Sequence, residues 1–183
     1  FTLVSDAAMA EVVIINTCGF IESAKDESIE QILEMGLLKK EGRIKRIVVT
    51  GCLAERYREE LAKEIPEADV ILGIGSNKNL CETIEKSLAE DERIESYGEK
   101  TELALEGDRV LTTLPFYAYL KIAEGCDNCC TYCAIPSIRG RFRSREMESI
   151  VAEAKSLARA GVKELVVVAQ DTTRYGLDLY KKP

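Results

Sequence analysis

Four cysteines lie within eight residues in the second half of the chain, directly after Gly125. Three of them, Cys126, Cys130 and Cys133, have the spacing C-x3-C-x2-C. Thiolates are the usual ligands of iron–sulfur clusters, and a short loop can present three of them to one cluster. Because three thiolates leave one iron of a cubane open, the spacing predicts a 4Fe–4S cluster at which a small molecule can bind.

The same loop allows a second interpretation, because Cys129 completes two successive C-x2-C pairs. Such pairs are typical of zinc sites or disulfides. Two pairs in one short loop would have difficulty placing four sulfurs at the corners of a tetrahedron, so the cluster is favoured. The chain contains no histidine, which excludes histidine-based acid–base catalysis and zinc sites with histidine ligands.

Two cysteines in the first half occupy equivalent positions. Cys18 and Cys52 each follow a predicted strand, at the point where the next loop begins. Ligands of open α/β sheets gather at this edge, so the two thiols could meet at one site. Buried free cysteines would give the same pattern. Cys81 is predicted to lie in a helix core, on the apolar face with Ile84 and Leu88.

The segment after the cysteine loop carries four arginines at alternate positions, with Phe142 between them: Arg139, Arg141, Arg143 and Arg145. Alternating basic and aromatic side chains are typical of nucleic-acid contacts, whereas solvated surface charge is the common alternative. Because this arginine strip adjoins the cysteine loop, it could also bind an anion or a carboxylate near the site. We therefore predict that the strip binds substrate.

The first half of the chain alternates β-branched apolar runs with helical patterns. Strands are predicted over residues 11–15, 44–50 and 68–72, and helices from about residue 23, over 53–64 and from residue 77. Repeated β-α units predict an α/β domain with a doubly wound parallel sheet over residues 1–90. Residues 91–115 are acidic and polar, and a linker with one hairpin, 101–105 against 109–114, is predicted there.

Residues 116–183 contain one predicted β-α-β unit, with a strand over 116–123, a helix over 146–160 and a strand over 164–169. Such a unit begins a parallel β/α barrel, whose reactive face lies at the carboxyl ends of its strands. The cysteine loop and the residues after Ala169 both follow a strand. Because one unit cannot bury both faces of its sheet, we expect a partial, truncated barrel.

The net charge of −7 is unevenly distributed. Residues 1–90 carry 11 basic and 17 acidic side chains, whereas residues 116–183 carry 11 and 8. The acidic half is not expected to bind nucleic acid, but would suit a basic protein partner or simply a solvated surface. No apolar run reaches the ~18 residues of a membrane helix, and no signal peptide is recognised. Seven cysteines indicate metal or redox chemistry, and we expect a cytoplasmic protein that does not oligomerise.

Together the motifs resemble the methylthiotransferases of the radical S-adenosylmethionine (SAM) superfamily, which insert a methylthio group at an unactivated carbon. Asn16–Ile21 and Thr50–Cys52 are similar to cysteine motifs of the family's auxiliary-cluster domain. Gly125–Cys133, with the Ala-Ile-Pro and Arg-Gly that follow, is similar to its radical SAM domain. The resemblance covers essentially the whole chain.

Within this family, three stretches are similar to the members that modify a ribosomal protein: residues 18–25, 121–127 and 169–176. Three departures from the family pattern are expected. The first auxiliary cysteine would precede Phe1, and Cys129 stands where the family usually has another residue. The rest of the barrel and the family's C-terminal substrate-binding domain are also absent from this sequence. We therefore expect a fragment of the family's chain, inactive by itself.

The resemblance implies a radical reaction at the cluster of Cys126, Cys130 and Cys133. SAM would bind the open iron, and its reductive cleavage would give a radical that removes hydrogen from the β-carbon of an aspartate on a small-subunit ribosomal protein. The residues expected to contact SAM are Tyr132, Gln170 and Asp171.

A second 4Fe–4S cluster is implied on Cys18, Cys52 and the cysteine expected before Phe1. This cluster would hold or supply sulfur, and a second SAM would provide the methyl group. The implied partners are the small-subunit ribosomal protein or the ribosome, and an electron donor. Such chemistry belongs to the cofactors, while the protein places them and excludes water.

Two other functions stay open at this point. A transfer-RNA adenosine methylthiotransferase would carry a similar arrangement of cysteines. A non-catalytic iron–sulfur module for electron transfer would bind clusters but would not cleave SAM.

Overall fold

The computed structural model of the chain describes residues 1–102, 107 and 109–181. The chain divides into two compact units, Phe1–Leu103 and Ala104–Pro183. This division falls inside the predicted linker, residues 91–115. None of the helices in the described ranges is both long enough and apolar enough to cross a membrane.

The first unit is built around a parallel sheet. Its strands are β1 (Val12–Thr17), β2 (Arg46–Gly51), β3 (Val70–Leu72) and β4 (Ile94–Ser96), and they are hydrogen-bonded in that order. Its helices are α1 (Glu22–Lys40), α2 (Cys52–Arg56), α3 (Arg58–Glu64) and α4 (Leu80–Glu90). Short 3-10 helices cover Ala7–Met9, Ile74–Asn79 and Lys100–Glu102.

Strand β2 explains why this half forms a buried parallel sheet, because it is buried from its second residue to its last. Ile47 and Val49 pack in one cluster with Ile32 of α1, whereas Val48 packs in another with Ile84 of α4. Alternate residues of a strand point to opposite faces, so helices cover both faces of the sheet. The predicted doubly wound parallel sheet is confirmed.

The segment predicted as a linker differs from the prediction. Strand β4, which lies within residues 91–115, pairs with β3 in parallel and extends the sheet. Of the hairpin predicted from 101–105 and 109–114, residues 103–106 lie outside the described part of the chain. In the part that is described, Lys100–Glu102 is a 3-10 helix, and residues 109–114 form no strand. The described residues of the predicted hairpin therefore form no strand pair.

The prediction that Cys81 lies in a helix core is wrong, because its side chain is exposed. The buried residues of α4 are Ile84 and Ser87. Leu88, the other residue assigned to the buried face, is 37% exposed. The buried face of the helix is thus rotated away from Cys81, toward Ser87.

The second unit contains the predicted β-α-β arrangement and a separate pair of two-residue antiparallel strands. Its strands are β5 (Tyr117–Lys121), β6 (Ala123–Glu124), β7 (Arg143–Ser144) and β8 (Glu164–Val168). Its helices are α5 (Ile135–Arg139), α6 (Met147–Arg159) and α7 (Leu177–Tyr180), with a 3-10 helix at Thr172–Arg174. β5 pairs with β8 in parallel, and β6 pairs with β7 antiparallel.

The core of the second unit is small. Ala118, Leu157 and Val162 form its buried cluster, and Leu157 is the buried residue of α6. Val151 of α6 is 42% exposed, and Val167 of β8 is 50% exposed. Helix α6 therefore packs against the β5–β8 pair while apolar side chains of the same elements stay in contact with solvent.

Candidate metal centre

The cysteine loop is anchored at its start by a close approach of two backbone segments. It begins at Gly125, directly after β6, and the Cys126 N–H donates to the Gly140 carbonyl at 3.2 Å. Gly125 has a φ of +76°, and a Cβ there would lie 2.2 Å from the Arg141 carbonyl oxygen. Only glycine tolerates both conditions, so the sequence Gly-Cys fixes where the first thiol emerges.

The three predicted ligands differ in exposure. Cys126 is buried, Cys133 is half-buried and Cys130 is exposed, as is Cys129. The Cys133 N–H donates to the Cys130 carbonyl at 3.0 Å, which forms a turn between these two cysteines. The Asn128 N–H lies 3.4 Å from the Cys126 sulfur. Hydrogen bonds from amides to cysteine sulfurs help to set the reduction potential of iron–sulfur clusters.

As a donor set, Cys126, Cys130 and Cys133 fit a 4Fe–4S cluster, since three thiolates on one loop are suitable ligands and leave one iron open. Across the described residues, no three Cys, Asp or Glu side chains converge on a point that could hold a metal ion. The loop therefore carries thiols of a suitable type and spacing, and ligation by these residues stays a prediction.

Glu124, which the sequence analysis did not single out, supports the base of the loop. Its side chain is fully buried and accepts hydrogen bonds from Lys121 Nζ at 2.7 Å, Arg139 Nη1 at 3.3 Å and the Gly125 N–H at 3.2 Å. Burial opposes its ionisation, but the hydrogen bond and charge of Lys121, the charge of Arg139 and the Gly125 N–H together lower its pKa. The signal in the sequence that could have identified this residue is its position: an acidic residue directly before Gly-Cys, at the end of a strand.

The loop that leaves β8 meets the cysteine loop. Asn128 Nδ2 donates to Asp171 Oδ2 at 3.0 Å, and Arg174 Nη1 donates to Asn128 Oδ1 at 3.1 Å. The other carboxylate oxygen, Asp171 Oδ1, accepts from the Thr173 N–H at 3.1 Å and from its hydroxyl at 2.6 Å. The hydrogen bonds from Thr173 and then Asn128 lower the pKa of Asp171, so this carboxylate stays ionised at neutral pH.

The predicted SAM contacts are only partly brought together. Asp171 reaches the cysteine loop, but through Asn128. Tyr132 is 88% exposed, and Gln170 is exposed beside Asp171. SAM contact by these three residues stays a prediction.

The four arginines do not form one continuous strip. Arg141 is exposed, Arg143 is half-buried in β7, and Arg139 is half-buried beside Glu124. Arg145 is only 4% exposed, which corrects the prediction that it binds substrate. Its guanidinium donates to the Lys121 carbonyl, the Ser149 hydroxyl and the Glu153 carboxylate, so its partners are within the fold.

In the first unit, Cys18 and Cys52 follow adjacent strand ends. The β1–β2 register pairs Thr17 with Gly51, so the next residue of each strand is a cysteine. Gly51 has a φ of +101°, and a Cβ there would lie 2.4 Å from the Thr17 carbonyl oxygen. Cys18 is half-buried and Cys52 is buried. The register places both cysteines directly after paired strand ends, while the meeting of their thiols at one site and their role as ligands stay predictions.

Comparison with known families identifies the class of domains in this chain. Residues 1–73 match a family described as "Uncharacterized protein family UPF0004", and residues 120–182 match the Radical SAM superfamily. The chain is therefore similar to a UPF0004 domain in its first part and to a radical SAM domain in its second part.

Similar curated proteins have names that specify an activity. The chain is 54% identical over 183 residues to a protein of Thermoanaerobacter sp. (strain X514), named ribosomal protein uS12 methylthiotransferase RimO. Proteins of the same name from Clostridium tetani and Clostridioides difficile are each 54% identical, over 178 and 184 residues. The matches cover 100%, 97% and 100% of this chain but only 42%, 40% and 41% of the relatives. The relatives that match along the whole chain thus bear the name of a ribosomal-protein methylthiotransferase, the class that the cysteine motifs resemble.

Proposed function

We propose that this chain is part of a radical SAM methylthiotransferase that acts on ribosomal protein uS12. The observation that carries the proposal is identity above 50% along the whole chain with relatives that bear this name. At the finer level, the modified atom is the β-carbon of an aspartate. The paired cysteine sites in the two units agree with this family of reactions.

The protein holds its cofactors with thiolates. Cys126, Cys130 and Cys133 would hold a 4Fe–4S cluster with one iron open for SAM, and Cys18 and Cys52 would hold a second cluster whose third ligand is expected upstream of Cys18. When bound, the clusters and SAM supply the one-electron and sulfur-transfer chemistry that an unactivated carbon requires. An unidentified electron donor completes the set of partners.

The side chains around the cysteine loop position and shield the reacting groups. Buried Glu124, paired with Lys121 and Arg139, supports the base of the loop, and the two cations balance its buried charge. Arg141, which is exposed directly beside the loop anchor, can pair with the substrate carboxylate through a charge-assisted hydrogen bond. A binding site that pairs a carboxylate should reject a purine, because its polar groups would be left unpaired.

The test is mass spectrometry of uS12 and of digested transfer RNA from cells with and without the gene. We expect a methylthio mass gain on one aspartate of uS12 that disappears with the gene, while transfer RNA is unchanged. Restoring the gene with Cys126→Ala should leave uS12 unmodified although the protein accumulates normally. Because uS12 is a ribosomal protein, the reaction belongs in the cytoplasm.

Other outcomes would contradict the proposal. A gene-dependent methylthio gain confined to adenosine would identify a transfer-RNA enzyme. No gain on either molecule, together with iron–sulfur clusters that do not cleave SAM, would identify an electron-transfer module.

A further inference from the structure

The cysteine loop is held at its far side by a group of polar side chains that the proposed reaction does not use. Asn128, from the loop, lies between two residues that follow β8, donating to Asp171 at 3.0 Å and accepting from Arg174 at 3.1 Å. One amide therefore uses both its donor and its acceptor on the same neighbouring segment. We call Asn128, Asp171 and Arg174 the clasp.

Arg174 is itself held in place. Its guanidinium carbon lies 5.9 Å from the centroid of the Phe142 ring, and Phe142 is 6% exposed. Its second nitrogen, Nη2, lies 3.9 Å from Asp127 Oδ2. The other oxygen of that carboxylate, Asp127 Oδ1, accepts from the Phe142 N–H at 3.1 Å. A stacked, planar guanidinium with two partners loses few further degrees of freedom when it binds the loop.

Asp171 is similarly fixed, since its Oδ1 caps the 3-10 helix through the Thr173 N–H and hydroxyl. Its Oδ2 then faces Asn128 in one orientation. Exposed ion pairs contribute little singly, but several polar contacts that share two pre-ordered partners restrain a loop more than one alone.

We propose that the clasp positions the cysteine loop against the exit of β8, and that Asp171 and Arg174 are positioning residues that act through Asn128. This differs from the expectation that Asp171 contacts SAM. The consequence for a bound cluster rests on the proposed function, but restraint of the loop does not. A failure of either can therefore be distinguished.

The experiment measures amide hydrogen exchange of residues 126–133 by mass spectrometry in the full-length apo protein. Asn128→Asp places two carboxylates face to face, so exchange across the loop should become about fivefold faster. Arg174→Gln should act in the same direction. Arg159→Gln, which removes an exposed arginine at the end of α6, is the matched control and should leave the loop unchanged.

Swapping the side chains of residues 128 and 171 tests the contact itself. In the double variant Asn128→Asp/Asp171→Asn, the amide now at position 171 can donate to the carboxylate at position 128 while its oxygen still accepts from Thr173. The carboxylate at position 128 can also accept from Arg174. In the double variant, hydrogen exchange of the loop should return close to the wild-type rate. The effects of the two single substitutions would then not add, as a double-mutant cycle requires for residues in contact. Exchange in β5 should be unaffected in every variant, which separates a loosened loop from an unfolded unit.

A second readout uses the reconstituted protein, from which a ferrous chelator should remove iron faster in Asn128→Asp than in the double variant. Unchanged exchange in both Asn128→Asp and Arg174→Gln would overturn the proposal. So would additive effects in the cycle. Weaker SAM binding in Asp171→Asn, with the loop exchanging as in wild type, would assign Asp171 to the cofactor instead.

Discussion

Arg145 shows how strongly the surroundings of a residue determine its role. It resembles its three neighbours in sequence, yet its guanidinium joins the carbonyl of Lys121 in β5 to Ser149 and Glu153 of α6. Glu153 also pairs with Arg109 at 3.1 Å. A charge this deeply buried stabilises a fold only while its partners are present.

Replacing Arg145 by methionine should therefore destabilise the protein. The substitution keeps most of the apolar volume but takes one of the two arginines away from Glu153, so the free energy of unfolding should fall by roughly 2 kcal/mol. Chemical denaturation of the apo protein measures this. Arg141→Met, at an exposed position, is the matched control and should change stability by less than about 0.5 kcal/mol. Equal stability of the two variants would show that Arg145 is not structural.

At the scale of elements, the β-branched runs were sufficient to predict β1, β2, β3 and β8, because burial on both faces of a parallel sheet requires such runs. Strand β4 has three residues, Ile-Glu-Ser, and no run to detect. Helix α5 has five residues, Ile-Pro-Ser-Ile-Arg, which are too few to show a helical period. These elements form because neighbouring segments pair with them or pack on them, which a local pattern does not contain.

The candidate site was predictable to a similar extent. Cysteine spacing indicated the donor set, since ligand type and order are properties of the sequence. The contacts of Asn128 with Asp171 and Arg174 join positions more than 40 residues apart, so they depend on the pairing of β5 with β8. The burial of Glu124 likewise follows from the folded arrangement around β6 and β7.

The start of the cysteine loop provides a test of how an element positions the site. Gly125→Ala should displace the loop, because the new Cβ would meet the Arg141 carbonyl at 2.2 Å in addition to the left-handed φ. Gly161→Ala is a close control, since Gly161 also has a positive φ of +98° but nothing within 4 Å of an added Cβ.

We expect anaerobically reconstituted Gly125→Ala protein to lose most of the iron of one cluster. Gly161→Ala should keep its iron and lose only about 1–2 kcal/mol of stability from the unfavourable backbone conformation. Iron content and thermal unfolding measure the two effects separately. Equal iron loss in both variants would mean that backbone strain, and not the close approach to Arg141, governs the loop.

At the scale of the whole molecule, each compact unit carries its own cysteine site at the carboxyl ends of parallel strands or just beyond them. The first unit presents two cysteines from neighbouring β-α loops, and the second presents its cysteines from one loop. Their ligands do not overlap in sequence. If each site binds the cluster proposed for it, the two proposed clusters should assemble independently of one another.

The division of iron between the units tests this independence in the full-length protein. The first variant replaces all three predicted ligands of the second unit by alanine: Cys126, Cys130 and Cys133. It should lose about half of the iron and sulfide and keep the other half bound. Substitution of both Cys18 and Cys52 should remove the complementary half. Cys81→Ala, at an exposed position on α4, should change neither. Complete loss of iron in either multiple variant would show that the clusters depend on each other, and full retention would show that the ligands are misassigned.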